Sequence, residues 1–171
     1  MSDYIPENPL IVQSDQTVLL EVHSPRSEAA REAIVPFAEL LKSPEHVHTY
    51  RITPLSIWNA RAAGLSTAAM VATLREYAKY PIPEGVAQEI DALGRRYGLA
   101  VIARGEDQGL VLRVTDAALA ELLARDRQVA PLLSERLDQL QFRIKLGVRG
   151  LLKQALVAIG YPADDLAGYS E

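Results

Sequence analysis

His48-Thr49-Tyr50-Arg51-Ile52-Thr53-Pro54-Leu55-Ser56-Ile57-Trp58-Asn59-Ala60-Arg61-Ala62-Ala63-Gly64-Leu65 decides the fold. Val47, Thr49, Arg51 and Thr53 alternate with His48, Tyr50 and Ile52, which places Tyr50 and Ile52 on one face of a strand. Thr53-Pro54 is a helix cap followed by a first-turn proline. Leu55, Trp58 and Ala62 mark one face of a short helix, and Gly64 stops it at the C′ position. Trp58 is the only tryptophan of the chain. At helical spacing with Leu55 and Ala62 it is a core residue rather than a platform for a stacked base.

Working outward, Leu10-Ile11-Val12 and Thr17-Val18-Leu19-Leu20-Glu21-Val22 flank a polar turn and predict a hairpin. Ser24-Pro25 starts a helix bearing Ala30, Ala33, Ile34, Phe37 and Leu41, which Pro36 must kink or split into two. After Gly64, Ser66 caps a helix with Met70, Val71, Leu74 and Tyr77 inward. Pro81-Ile82-Pro83 opens a third helix, with Val86, Ile90, Leu93 and Tyr97, that stops at Gly98. Leu99–Ala103 and Leu110–Val114 flank Gly105-Glu106-Asp107-Gln108-Gly109, a second hairpin. Asp116 caps a helix with Leu119, Leu122 and Leu123. Leu140–Ile144 is a strand, and Val148–Ile159 a final helix stopped by Gly160.

This order repeats. Residues 10–65 and 99–161 each give hairpin, capped helix, proline, helix, strand, helix, glycine. Val18–Val22 matches Leu110–Val114, Pro36-Phe37 matches Pro131-Leu132, Tyr50-Arg51-Ile52 matches Phe142-Arg143-Ile144, and Ala63-Gly64-Leu65 matches Ile159-Gly160-Tyr161. The expected fold is α+β. A mobile leader, 1–9, precedes one compact domain, 10–171. Within it two ββαβα units, 10–65 and 99–161, share a core around a helical insert, 66–98. Three helices followed by a hairpin over 54–115 is also the order of a winged helix, so the insert is winged-helix-like.

Composition narrows the function classes. With 171 residues and 49% hydrophobic content the chain buries a core without metals or disulfides. It has no cysteine, which removes disulfides, thiolate metal sites and a cysteine nucleophile and suits the cytoplasm. Its start lacks the basic end and apolar core of a signal peptide, and no apolar run is long enough to span a bilayer. A net charge of -4 argues against nonspecific nucleic-acid binding by the whole surface. His46 and His48 share a strand face but lack a third ligand, so no metal site is assigned. Asp15, Glu21, Asp164 and Asp165 have no partner base, so no catalytic residue and no cofactor is assigned. The basic residues are the candidate contacts for DNA or a partner. Arg95 and Arg96 end a helix just before the hairpin that bears Arg104. Arg143 and Lys145 alternate on a strand, and Arg149 and Lys153 follow at i, i+4 on the last helix. The last four read either as a phosphate-contacting patch or as a solvated sheet edge protected by charge, the second being the plainer reading.

Leu10–Asp15, Thr17–Val22, Pro36–Leu40 and above all Ser43–Ala60 resemble the N-terminal region of bacterial XPB-type DNA repair helicases. Tyr80-Pro81-Ile82-Pro83, Arg95-Arg96-Tyr97-Gly98 and Gly160–Tyr169 continue the likeness over nearly the whole chain. The resemblance implies a link to nucleotide excision repair and to a superfamily 2 motor that unwinds DNA 3′ to 5′ with ATP. Such a motor needs a phosphate loop ending in Gly-Lys-Ser/Thr, and no glycine here is followed by lysine. The expectation is therefore a non-enzymatic accessory domain. It docks the motor domains or a repair-complex subunit; the alternative is a winged-helix module that binds duplex DNA directly.

Overall fold

The computed structural model describes residues 4–168. The chain divides into two compact units, Met1–Gly94 and Arg95–Glu171, and the fold class is α+β.

In the first unit, strands β1 (Leu10–Val12), β2 (Thr17–Glu21), β3 (Glu39–Lys42) and β4 (Val47–Arg51) form an antiparallel sheet in the order β1-β2-β4-β3. Helix α1 (Ser27–Ile34) lies between β2 and β3 in the chain, and α2 (Pro54–Ala62), α3 (Thr67–Tyr77) and α4 (Glu84–Gly94) follow β4. In the second unit, β5 (Ala100–Arg104), β6 (Leu110–Val114), β7 (Leu133–Arg136), β8 (Gln141–Ile144) and β9 (Ala163–Asp165) order as β7-β8-β6-β5-β9. Helices α5 (Ala117–Arg125) and α6 (Arg149–Ala158) complete it.

The repeat is real and longer than its sequence signature. Each unit is ββαββα, because Glu39–Lys42 and Leu133–Arg136 are strands where helices were expected. Pro36 cannot donate the next helical hydrogen bond, so α1 stops at Ile34. The chain turns through Phe37 N–H to Ile34 O (2.9 Å) and then pairs Leu40 with Tyr50. The hairpin turns match bond for bond. Gln13 N–H donates to Thr17 O and Gln16 N–H to Gln13 O, as Gly105 N–H does to Gly109 O and Gln108 N–H to Gly105 O. Asp15 and Asp107 each accept from the backbone N–H two residues on, at 3.0 Å. Gln16 and Gln108 both adopt positive φ, 70° and 68°. The α2 and α6 C-termini close alike: Leu65 N–H bonds Ala60 O and Tyr161 N–H bonds Leu156 O, with Gly64 and Gly160 left-handed.

One difference lies in register. Val18 faces Tyr50, whereas Leu112 faces Phe142. On the matched positions, Val18 with Leu110 and Tyr50 with Phe142, the second ladder has slipped by two residues. Side chains alternate faces with period two, so an even slip keeps the inward set inward. Val18, Leu20, Tyr50 and Ile52 are buried in one unit, and Leu112, Val114, Phe142 and Ile144 in the other.

Several local expectations are corrected. The core of the second unit runs from Ala100 to Leu156. Helices α3 and α4 pack with α1 and α2 in the first unit, and the hairpin expected as a wing forms the centre of the second sheet. Ser24 does not cap α1, whose N-cap Arg26 has no side-chain cap; it instead donates to Glu7 O at 2.6 Å. The buried face of α2 is Ser56, Ile57, Trp58 and Ala60, while Leu55 is exposed. Ala120, not Leu122, joins Leu119 and Leu123 inside. Helix α4 ends at Gly94, where a Cβ would come within 2.0 Å of Thr67 Cγ2. Of the expected leader, Met1–Asp3 lie outside the described residues, as do Tyr169–Glu171. Asn8 is fully buried, donating to Glu76 O (2.9 Å) and Ala78 O (3.0 Å), and so caps carbonyls that the end of α3 leaves open.

Candidate functional site

The seven basic candidates all fall in the second unit, and its sheet separates them. Val111 pairs with Arg143 and Arg113 with Gln141, so Arg113 and Arg143 project from the same face of adjacent strands. That face opens as a groove of about 530 Å³ between the β5–β6 turn and the β7–β8 turn, lined by Arg104, Asp107, Val111, Arg113, Gln141 and Arg143 among others. Arg143 is doubly paired, at 2.8 Å to Asp107 and 3.3 Å to Glu135. Its bond to Asp107 raises its pKa above the ordinary value. Asp107 is lowered, first by the Gly109 N–H and then by Arg143. Arg104 donates to Gln108 O at 3.0 Å and braces the turn.

The expected patch of four is split. Arg149 and Lys153 sit on α6 and converge on Asp165 of β9. Arg149 is bidentate at 2.8 and 2.5 Å, and Lys153 lies at 3.2 Å. Burial pushes the Asp165 carboxyl up, but the bonds from Arg149 and Lys153 outweigh it and hold it below its ordinary value. This clamp ties β9 to α6. Lys145 is exposed beyond the end of β8. Arg95 and Arg96 are exposed after α4, and Arg96 lies 5.2 Å over the Tyr161 ring.

Sequence reasoning missed Arg113. It alternates with Val111 on a strand, but only the slipped ladder reveals that it stands beside Arg143. It also missed His23, whose Nε2 lies 2.8 Å from His46 Nδ1, while His48 instead meets Arg31 at 3.4 Å. The two histidines of the strand therefore do not converge, and no group of three metal-ligating side chains occurs among the described residues. Trp58 is a core residue, 6% exposed, its indole N–H donating to Leu93 O at 2.8 Å. No described helix is long and apolar enough to cross a membrane.

The family model described as "helicase conserved C-terminal domain" matches residues 10–138. Over 163 residues the chain is 49% identical to the DNA 3′-5′ helicase XPB of Kineococcus radiotolerans, covering 95% of this chain and 29% of that protein. It is 47% identical to the same helicase of Mycobacterium tuberculosis, covering 95% of this chain and 30% of that protein. It is 30% identical over 131 residues to the general transcription and DNA repair factor IIH helicase/translocase subunit XPB/SSL2 of Saccharomyces cerevisiae, covering 77% of this chain and 15% of that protein. The chain thus spans less than a third of the length of these relatives. With a family model matched from the first hairpin to the β7–β8 turn and near-half identity to two bacterial helicases, the chain belongs to the XPB-type DNA helicase family.

Proposed function

We propose that this chain is a non-catalytic, N-terminal accessory domain of an XPB-like DNA repair helicase. It docks a partner subunit or the helicase motor itself, positions the motor on DNA and modulates its ATP turnover. The observation that carries this reading is family membership without motor chemistry. Almost the whole chain aligns with proteins named as DNA 3′-5′ helicases, yet it has no Gly-Lys step from which a phosphate loop is built. Relatives named as subunits of general transcription and DNA repair factor IIH give the partner class, a subunit of a repair complex. Three of the basic candidates, Arg143, Arg149 and Lys153, are already neutralised inside the unit. That favours protein docking over a phosphate-gripping surface.

The test is to delete the matching segment from a full-length relative and supply this chain in trans. Loss and recovery of partner binding, together with a changed rate of ATP turnover, are expected. If both properties stay unchanged, the docking role fails. Labelled duplex titrated at low salt provides the opposing arm. Affinity that falls steeply with salt and with charge reversal at Arg95, Arg96 and Arg104 would move the assignment to direct DNA binding.

A further inference from the structure

We propose that His23 and His46 chelate a divalent transition-metal ion, of the copper or nickel kind, at the end of the first sheet. The inference is independent of what motor or subunit the chain docks.

The site is made where two paired strands stop. Strand β2 ends at Glu21 and β4 begins at Val47, and these residues face each other in the ladder. One more bond, Val22 N–H to His46 O at 3.0 Å, holds the two backbones together just past that pair. There the chain turns at Val22-His23 and bends at Glu45-His46, so the alternation of faces no longer keeps neighbouring side chains apart. His23 Nε2 and His46 Nδ1 stand 2.8 Å apart, with ring centroids 5.0 Å apart.

An imidazole nitrogen binds such an ion at about 2.0–2.1 Å. Two of them on one ion therefore lie about 2.8–3.4 Å apart, from a right-angled to a tetrahedral arrangement. The pair already has that span. An ion takes the place of the proton that the two nitrogens share, after a small turn of the rings, and water completes its coordination from the open side. Paired imidazoles suit copper and nickel, whereas magnesium and calcium take oxygen ligands.

A hydrogen bond alone is a poor reason for the pair. Both rings are exposed, and such a bond adds little where water competes for it, against the entropy of holding two side chains still. Glu45 Oε2 lies 3.9 Å from His46 Nε2, the nitrogen turned away from His23. A carboxylate there favours the tautomer protonated at Nε2 and leaves the Nδ1 lone pair free for a metal. Nor does the fold require imidazoles at this point. The corresponding bond of the second unit runs from Val114 N–H to Leu140 O at 2.9 Å, and Thr115 and Leu140 stand where the histidines do.

Titration calorimetry of the untagged chain with nickel chloride and with copper chloride reads the affinity, and the electron paramagnetic resonance of bound copper counts its nitrogens. Expected are a single ion per chain, copper held more tightly than nickel, no magnesium binding, and two imidazole nitrogens in the copper spectrum. His23→Ala or His46→Ala should each weaken binding about a hundredfold, because the second nitrogen acts at the high effective concentration set by the first. The chain has three histidines and no cysteine, and the third, His48, meets Arg31 instead, so His48→Ala should leave the affinity unchanged. Circular dichroism and metal-free melting of all three variants should match the parent. Nickel should raise the melting temperature only where His23 and His46 are both present. Absence of saturable nickel or copper binding up to about 1 mM overturns the proposal. So does an affinity that survives either alanine variant, an equal loss in His48→Ala, or a copper spectrum with one imidazole nitrogen.

Discussion

In the first unit the helix that follows the fourth strand is held by an aromatic wedge; in the second its counterpart is held by an ion-pair clamp. Trp58 of α2 is buried and its indole N–H reaches Leu93 O at the end of α4. Ser56, two residues earlier, donates to Phe37 O at 2.8 Å. On α6 the same work falls to Arg149 and Lys153, which grip Asp165 of β9, and Arg149 also donates to Gly168 O at 2.7 Å. The ββαββα path thus fixes where this helix lies but not the chemistry that holds it. Each unit uses what its own extension brings, α4 in the first and β9 in the second. An apolar wedge is indifferent to pH and salt, and a carboxylate clamp is not.

The largest effect should come from the wedge. Trp58→Ala removes a buried aromatic and orphans the Leu93 carbonyl. It is expected to cost about 3–5 kcal/mol in denaturant melts. A cost below about 1 kcal/mol would mean that α2 is held by something else, and the contrast between the units would collapse.

Asp165→Asn comes next, at about 2 kcal/mol, below the range for fully buried pairs because the clamp lies at the sheet edge. Its pH dependence separates it from Trp58→Ala. The folded Asp165 pKa is lowered from its ordinary value of 3.8. The clamp's contribution is therefore complete above that value and lost as pH falls through the lower folded one. The gap between Asp165→Asn and the parent should hold above 3.8 and close only as pH falls beneath it, through the lowered folded value, while the Trp58→Ala gap persists. A gap that stays constant would show that the carboxylate charge does not matter.

The two matched helix stops rank third. Gly64 and Gly160 have φ of 97° and 89°, where an L side chain is strained by about 1–2 kcal/mol. At Gly64 an added Cβ meets nothing, whereas at Gly160 it comes within 2.6 Å of Arg96 Nη1, the movable end of a long side chain. Alanine at either site should cost nearly the same by thermal melting. A difference above about 1 kcal/mol would show that Arg96 resists displacement and that the two stops are not equivalent.

Much of this was legible in the sequence, because it is written in residues with narrow conformational roles. Thr53-Pro54 gives a capping box with Ser56, Ser66 and Asp116 cap their helices, and the two glycine stops are where they were read. What escaped depends on partners far along the chain. Glu39–Lys42 continues a helical spacing past Pro36, and only the lateral bonds offered by β4 make it a strand. The two-residue slip has no local signal, because an even shift leaves the inward and outward pattern unchanged. Arg143, Arg149 and Lys153 are spaced like a patch, yet Asp107 and Asp165, both distant in sequence, draw them apart. Long-range ion pairs decided the candidate site, and spacing along the chain does not record them.

The finest comparison lies in the two hairpin turns, where one backbone carries two environments. Gln16 and Gln108 sit at the same point of the same turn, both at positive φ. A glycine there relieves strain and on that ground stabilises by about 0.5–1 kcal/mol. For Gln108, an exposed residue, relief is the whole effect, and Gln108→Gly should raise the melting temperature slightly. Gln16 is 8% exposed, and its side-chain amide donates to Glu89 at 2.9 Å and to Val86 O at 3.4 Å, holding α4 against the first hairpin. Gln16→Gly gains the same relief but gives up the two side-chain bonds that hold α4 to the hairpin, at about 0.5–1.5 kcal/mol each. The net change should be destabilising. Opposite signs at matched positions would show that the repeat has kept its backbone while reassigning a side chain to tertiary packing. If both variants gained stability, the Gln16 contacts would be energetically empty, and the turns would be equivalent in energy as well as in geometry.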